Sequence, residues 1–249
     1  RKMYVGEIGG DSMTKNEVLL EVTENHLNTG LRGIPVGTCR TSFVTPSEGV
    51  HYCGYPIAEL AAFEPEDIVY LLFNKELPNA EQSAAIRQDL AARAAVPGDL
   101  ESVLKTLPKF GHPMDWLSVG IHTLGMMETT NDWKDDALNL IARMPRLMGL
   151  IFRIREGREE NIPADDTSLS MVERFIRCLD LHDANTEKMK RIISTYLVLH
   201  MDHGGGNLST FAGKAIASSK ATVYSAMAGA MNVRPGPLHS LPQPLPNRL

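Results

Sequence analysis

Cysteine is scarce: Cys39, Cys53 and Cys178 are the whole set. An odd number with no CxxC or other zinc spacing supports neither a disulfide framework nor a structural zinc site, and it points to a reducing compartment. Long apolar runs are lacking as well. The longest stretches fall well short of the ~20 residues a helix needs to cross a bilayer, and the first residues have no apolar signal-peptide core, so a soluble protein without membrane partners is expected. Positive charge is not in excess. Lys and Arg number 25 against 30 Asp and Glu, a net charge of −5. That argues against a protein that coats nucleic acid, while a local basic pocket for a small anion stays open. GxxxxGK[ST], GxGxxG and GxSxG are missing too, so P-loop, dinucleotide and serine-hydrolase readings lose their main signals.

What is present describes an ordinary folded chain of 249 residues, 43% hydrophobic and 22% charged, enough for one large domain or two small ones. Residues 1–56 are rich in Gly, Thr and β-branched side chains. They read as an irregular, partly β segment with short strands at Tyr4–Ile8, Gly37–Phe43 and Val50–Tyr55. From Pro56 the period changes. The i, i+3, i+4 apolar recurrence predicts helices over Asp67–Phe73, Ala80–Ala95, Leu100–Leu107, Met114–Met127, Asp135–Arg155, Ser168–Leu181 and Thr186–Met201. Leu138–Ile154 is apolar around most of its circumference, as a helix buried among helices would be. The fold class is therefore mainly α, with a helical domain over 57–234. In the last fifteen residues, 235–249, five prolines make a tail that cannot be helical.

The stretch His200-Met201-Asp202-His203-Gly204-Gly205-Gly206-Asn207 is the most unusual. The apolar stripe Met189, Ile193, Tyr196 steps on to His200 and then His203, so both imidazoles are expected to face inward at a helix end where glycines let backbone come close. Two readings of these residues are open: hydrogen-bonded core histidines with a glycine cap, or, against the odds of spacing, a metal site lacking the HExxH pattern. Ala212 to Ala230 is crowded with small residues, which predicts closely packed helices. Gly236-Pro237-Leu238-His239 lies two short helices downstream of the first block, a distance that can return the chain to the same place. Trp116 and Trp133 read as packing residues, Arg143, Arg146, Arg153 and Arg155 as solvated or ion-paired, and His112-Pro113-Met114-Asp115 as a capped turn into a helix.

Together these blocks resemble the citrate synthase family. The resemblance is carried in order by Gly30-Leu31-Arg32-Gly33-Ile34-Pro35, Tyr52-Cys53-Gly54-Tyr55-Pro56-Ile57-Ala58-Glu59-Leu60, Leu71-Leu72-Phe73-Asn74-Lys75-Glu76-Leu77-Pro78, His112-Pro113-Met114-Asp115 and Ile141-Ala142-Arg143-Met144-Pro145. It continues through His200 to Phe211 and ends at Gly236-Pro237-Leu238-His239. It implies a helical homodimer with a large and a small domain, joining acetyl-CoA to oxaloacetate to give citrate and CoA. It also implies roles: His203 binds oxaloacetate beside Asn207, and His239 is the catalytic histidine on the thioester oxygen. His200 supports the site from an inward position, and Ser209 orients the catalytic imidazole.

The implied chemistry suits those residue types. A thioester methyl gives up its proton only with a carboxylate base on one side and a donor for the enolate oxygen on the other, and a second imidazole polarises the ketone. No metal and no cofactor beyond acetyl-CoA as substrate is called for. The cytoplasm is the expected location, with an organelle matrix left open. The family pattern continues past GPLH into the small domain and its carboxylate, whereas here Ser240 to Leu249 follow. The expectation is a large domain with the small domain largely missing and condensation by this chain alone severely impaired. Rivals are 2-methylcitrate synthase, citryl-CoA lyase and a non-catalytic large-domain fragment or assembly subunit.

Overall fold

The computed structural model describes residues 18, 20–28, 37–180, 186–202 and 207–233. The chain divides into two compact units, Arg1–Gly37 and Thr38–Leu249. In the first, a 3₁₀ turn at Glu24–Asn28 is opened by Thr23, whose N–H donates to His26 Nδ1 at 2.9 Å. The expected strand Tyr4–Ile8 lies outside the described residues.

The second unit begins with a three-stranded antiparallel meander, β1 (Ser42–Thr45), β2 (Gly49–Tyr52) and β3 (Tyr55–Pro56), with Phe43 opposite His51 and Tyr52 opposite Tyr55. Val50–Tyr55 is thus two strands rather than one. Cys53 and Gly54 both have positive φ, 50° and 93°, the backbone of a tight two-residue hairpin turn that only glycine adopts freely. The expected strand Gly37–Phe43 is found instead at Ser42–Thr45.

Ten α-helices follow among the described residues: α1 (Ile57–Leu60), α2 (Pro65–Asn74), α3 (Ala80–Ala92), α4 (Gly98–Lys105), α5 (Pro113–Glu128), α6 (Trp133–Arg155), α7 (Met171–Leu179), α8 (Thr186–His200), α9 (Leu208–Ala217) and α10 (Val223–Asn232). Their starts are written in the sequence. Asn79 and Gln82 form a capping box on α3 and Ser170 and Glu173 one on α7, while Asp132 caps α6 and Thr222 caps α10. His112 caps α5, its Nδ1 accepting from Met114 N–H at 3.1 Å ahead of Pro113 at the first helical position.

Helix α6 is the hub. Leu140, Leu147, Leu150, Ile151 and Ile154 join Trp116, Ile121 and Leu124 of α5, Leu104 of α4 and Tyr224 of α10 in the main core, as its all-round apolarity predicts. Small residues set the close approaches. A Cβ on Gly149 would collide with Cys178 of α7, and one on Gly125 would lie 2.5 Å from Tyr224 Cβ. Ser118 donates to the Ala228 carbonyl at 3.3 Å across the α5–α10 contact. A second core, Tyr52, Leu60, Ile68, Leu71 and Val198, ties the meander to α2 and α8.

Two expectations about surface residues are corrected or divided. Trp133 is 62% exposed, because it is the first residue of α6 and precedes the turns that enter the core, whereas Trp116 is buried. Of the arginines, Arg143 pairs with Glu128 at 2.7 Å, and Arg153 is fully buried against the Cys178 carbonyl and Asp180.

Candidate active site

The C-terminal end of α8 is fixed by one tyrosine. Tyr52 on β2 is fully buried, and its hydroxyl donates to the Val198 carbonyl at 2.9 Å while accepting from the Asp202 N–H at 3.1 Å. It therefore satisfies a carbonyl in the last turn, of the kind a helix end cannot satisfy internally, and holds the backbone N–H two residues past the end. Burial pushes the Tyr52 phenol above its ordinary pKa and keeps the hydroxyl intact as donor and acceptor. Thr41 then donates to Asp202 Oδ2 at 2.5 Å, so the carboxylate between the two histidines is anchored to the segment entering β1. Neither Tyr52 nor Thr41 was singled out by sequence chemistry. The only hint was that Tyr52 opens one of the family-like blocks.

His200 is corrected. It is exposed and does not face inward, its ring stacked on Tyr196 at 4.1 Å between centroids. Its Nδ1 lies 2.8 Å from the Tyr196 carbonyl, which can only accept, so Nδ1 carries the proton in this bond. The physical reason lies in which face of α8 is chosen. Val198 enters the core around Tyr52, and Ser194 is buried with its hydroxyl 3.4 Å from Glu64 Oε2. The stripe through Ser194 and Val198 thus turns inward and carries Tyr196, 60% exposed, and His200 out.

His203 with Gly204 to Gly206, and His239 with its GPL, lie outside the described residues. Asn207 caps α9: its Oδ1 accepts from Thr210 N–H at 2.8 Å and from Ser209 Oγ at 2.7 Å. The capping bonds hold the plane of the Asn207 amide, and the Ser209 hydroxyl is oriented by Asn207. These two predicted site residues are brought together.

Helices α9 and α10, joined by residues 218–222, pack along their lengths, with Gly213 against Ala226 and Ala230 and Gly229 against Ile216. The small-residue region is the close helix packing the sequence implies. Such a hairpin returns the chain, so the end of α10 comes back beside the start of α9 at Asn207. Lys214 anchors the pair by donating to the Thr38 carbonyl at 3.0 Å. Among the described residues no group of three or more His, Cys, Asp or Glu is placed to hold a metal ion, and no helix is long and apolar enough to cross a membrane.

The described body is mainly helical, with Asn207 capping the first helix of a closely packed hairpin. The family model for the citrate synthase C-terminal domain matches residues 30–243, and the chain belongs to the citrate synthase family. Citrate synthase 4, mitochondrial, of Arabidopsis thaliana is 31% identical over 244 residues, covering 88% of this chain and 51% of the relative. Citrate synthase, mitochondrial, of Daucus carota is 29% identical with the same coverage. The citrate synthase of Thermotoga maritima MSB8 superposes with a TM-score of 0.74 at 26% identity, over 85% of this chain and 56% of the other. That of Pyrobaculum aerophilum, at 23% identity and a TM-score of 0.75 over 84% and 55% of the two chains, shares the fold. The chain spans about half the length of the curated relatives it matches.

Proposed function

We propose that this chain serves the condensation of acetyl-CoA with oxaloacetate, giving citrate and CoA with one water consumed. The observation that carries the reading is the α9–α10 hairpin in a chain of this family. It leads from Asn207 back toward its own start, with the His203 block just before it and the His239 block just after. His203 donates to the ketone oxygen of oxaloacetate and Asn207 contacts the same substrate. His239 donates to the thioester oxygen as a carboxylate base takes a methyl proton, and the enolate carbon attacks the polarised ketone. Ser209 orients the catalytic imidazole. An imidazole on each carbonyl oxygen suits a reaction in which negative charge develops there and carbon is the nucleophile.

The described helical body is the large domain of this reading, with 1–56 as its lead-in and 235–249 following it. A homodimer is supported by apolar side chains left exposed on the hub's neighbours, Val119, Met126 and Met127 of α5 and Met227 of α10. The plant relatives are named as mitochondrial, which favours an organelle matrix over the cytoplasm.

Oxaloacetate at about 100 times its Kd stabilises its binder by about 2.7 kcal/mol, so it should raise the melting temperature of this protein clearly, and His203→Ala should abolish the shift. An unchanged shift in that variant, or none in the parent, overturns the assignment. Thiol release from acetyl-CoA against propionyl-CoA then separates the citrate reading from 2-methylcitrate formation.

A further inference from the structure

Two cavities among the described residues differ in charge. The larger, about 400 Å³ between α2, α3 and α7, is lined by Glu64, Glu66 and Glu173 and by Arg87, Arg174 and Lys190, so its acids and bases cancel. The smaller, about 170 Å³, lies where the last turns of α2 meet the side of α3 and the start of α6. Among the described residues one cation, Lys134, and no carboxylate lines it, and His200, Asn207 and Ser209 are not part of its wall.

The wall follows from helical spacing. Val69 and Phe73, and Tyr70 and Asn74, are each four residues apart on α2, as are Lys134 and Leu138 on α6, and Ile86 of α3 closes the third side. Ile86 and Leu138 also pack on the buried Leu90, Ala142 and Met171, so this side is fixed from behind. Asn74 Nδ2 donates to the Tyr70 carbonyl at 3.0 Å, which holds the amide. Phe73 stacks on the exposed Trp133, with 6.3 Å between ring centroids and 12° between planes, and Lys134 Nζ stands 5.6 Å from the Trp133 centroid.

The acids nearest Lys134 in the chain are engaged elsewhere. Asp132 Oδ1 accepts from the backbone N–H groups of Lys134 and Asp135. Asp135 pairs with Arg93 at 2.6 Å, and Asp136 accepts from Thr129 and Thr130. The Lys134 ammonium makes no ion pair among the described residues; its contact is the face of Trp133, which leaves the charge open to an anion. One positive charge beside an aromatic and aliphatic wall matches one negative charge on an apolar body. The volume is close to the roughly 150 Å³ of an apolar cavity that holds benzene. A divalent, strongly hydrated anion would meet a single cation and gain nothing from Phe73, Ile86 or Leu138.

We propose that this cavity binds a small monocarboxylate with an apolar body about the size of a benzene ring, its carboxylate on Lys134 Nζ and its body against Phe73, Ile86 and Leu138. The charge-assisted bond sets the orientation and the apolar wall sets the size.

The probe is sodium benzoate, titrated at constant ionic strength while the Trp133 indole N–H is followed by ¹H–¹⁵N NMR and the heat by calorimetry. A saturable shift with a Kd in about the millimolar range is expected for so few atoms. Benzyl alcohol and benzylammonium should bind roughly tenfold or more weakly, because neither brings a negative charge to Lys134. Lys134→Gln changes an exposed side chain and should weaken benzoate roughly fivefold or more, while Lys134→Arg keeps the charge and should stay within about threefold of the parent. Leu138→Phe fills the cavity without touching the lysine and should weaken benzoate as well. Equal binding of benzyl alcohol, an unchanged Kd in Lys134→Gln, or no saturable shift at Trp133 overturns the proposal. Displacement of benzoate by oxaloacetate would do so too, by assigning the signal to the other site. Oxaloacetate-induced stabilisation is read separately, so failure here leaves the condensation reading untouched.

Discussion

Helices α6 and α8 are alike on paper and unlike in the molecule. Both are long, both are rich in Leu, Ile and Met, and both show helical periodicity. Yet α6 is wrapped by α3, α4, α5, α7 and α10, whereas α8 packs on α2 and α7 and leaves Ile192, Tyr196, Leu197 and Leu199 in solvent. Periodicity specifies a helix. The number and position of its neighbours specify which of its faces is inside, and for α8 a serine and a valine were chosen over the richer apolar stripe. The reason is steric and polar together: Ser194 admits Glu64 and the start of α2, and Val198 reaches the Tyr52 core.

The sharpest way to break the comparison is at the tight seam of α6. Gly149→Val places a branched side chain where even a Cβ meets Cys178, and it should cost about 3 kcal/mol or more, read as a lower urea midpoint at unchanged slope. A loss below about 1 kcal/mol would show that the seam yields. At the end of α8 a smaller effect is expected. Tyr52→Phe keeps the ring in its core and orphans the Val198 carbonyl and the Asp202 N–H, costing about 1–3 kcal/mol. Because the same bonds aim the segment leading to His203, this variant should also lose part of the oxaloacetate-induced rise in melting temperature, while a change in stability alone would make Tyr52 purely structural. The smallest effect belongs to the open face. Ile192→Ser should change stability by no more than about 0.5 kcal/mol, and a larger loss accompanied by a fall in mass by light scattering would show that a second copy covers it.

Much of the fold is legible because it is locally encoded. Asn79, Asp132, Ser170 and Thr222 cap their helices by local side-chain chemistry, and the small residues between 212 and 230 announce a close pair, which the structure shows. The break of Val50–Tyr55 into two strands was written in Gly54, although a reading of β-branched residues runs through it. What stayed hidden was set by partners distant in the chain. The outward turn of His200 depends on Tyr52 and Glu64, well over a hundred positions away, and the exposure of Trp133 depends on where α6 meets its neighbours. Of the candidate site, the pairing of Asn207 with Ser209 follows from local capping chemistry. The support from Thr41 and Tyr52 does not, since neither residue type marks itself as a brace for a helix end.

The Tyr52 brace has a consequence in time as well as in space. Helices α9 and α10, or α5 and α6, can find each other after closing short loops, while the bonds of Tyr52 with Val198 and Asp202 join positions separated by 146 and 150 residues. Closure entropy grows only slowly with loop length, but long-range pairings of this kind slow the search and pay back only once both ends are already ordered. The helical scaffold is thus expected to assemble early and the segment bearing Asp202 to be secured late. A nascent or partly unfolded chain would then hold most of its helices while the segment bearing Asp202 is still unformed, and loss of oxaloacetate-induced stabilisation is expected to precede loss of helical signal as denaturant is raised.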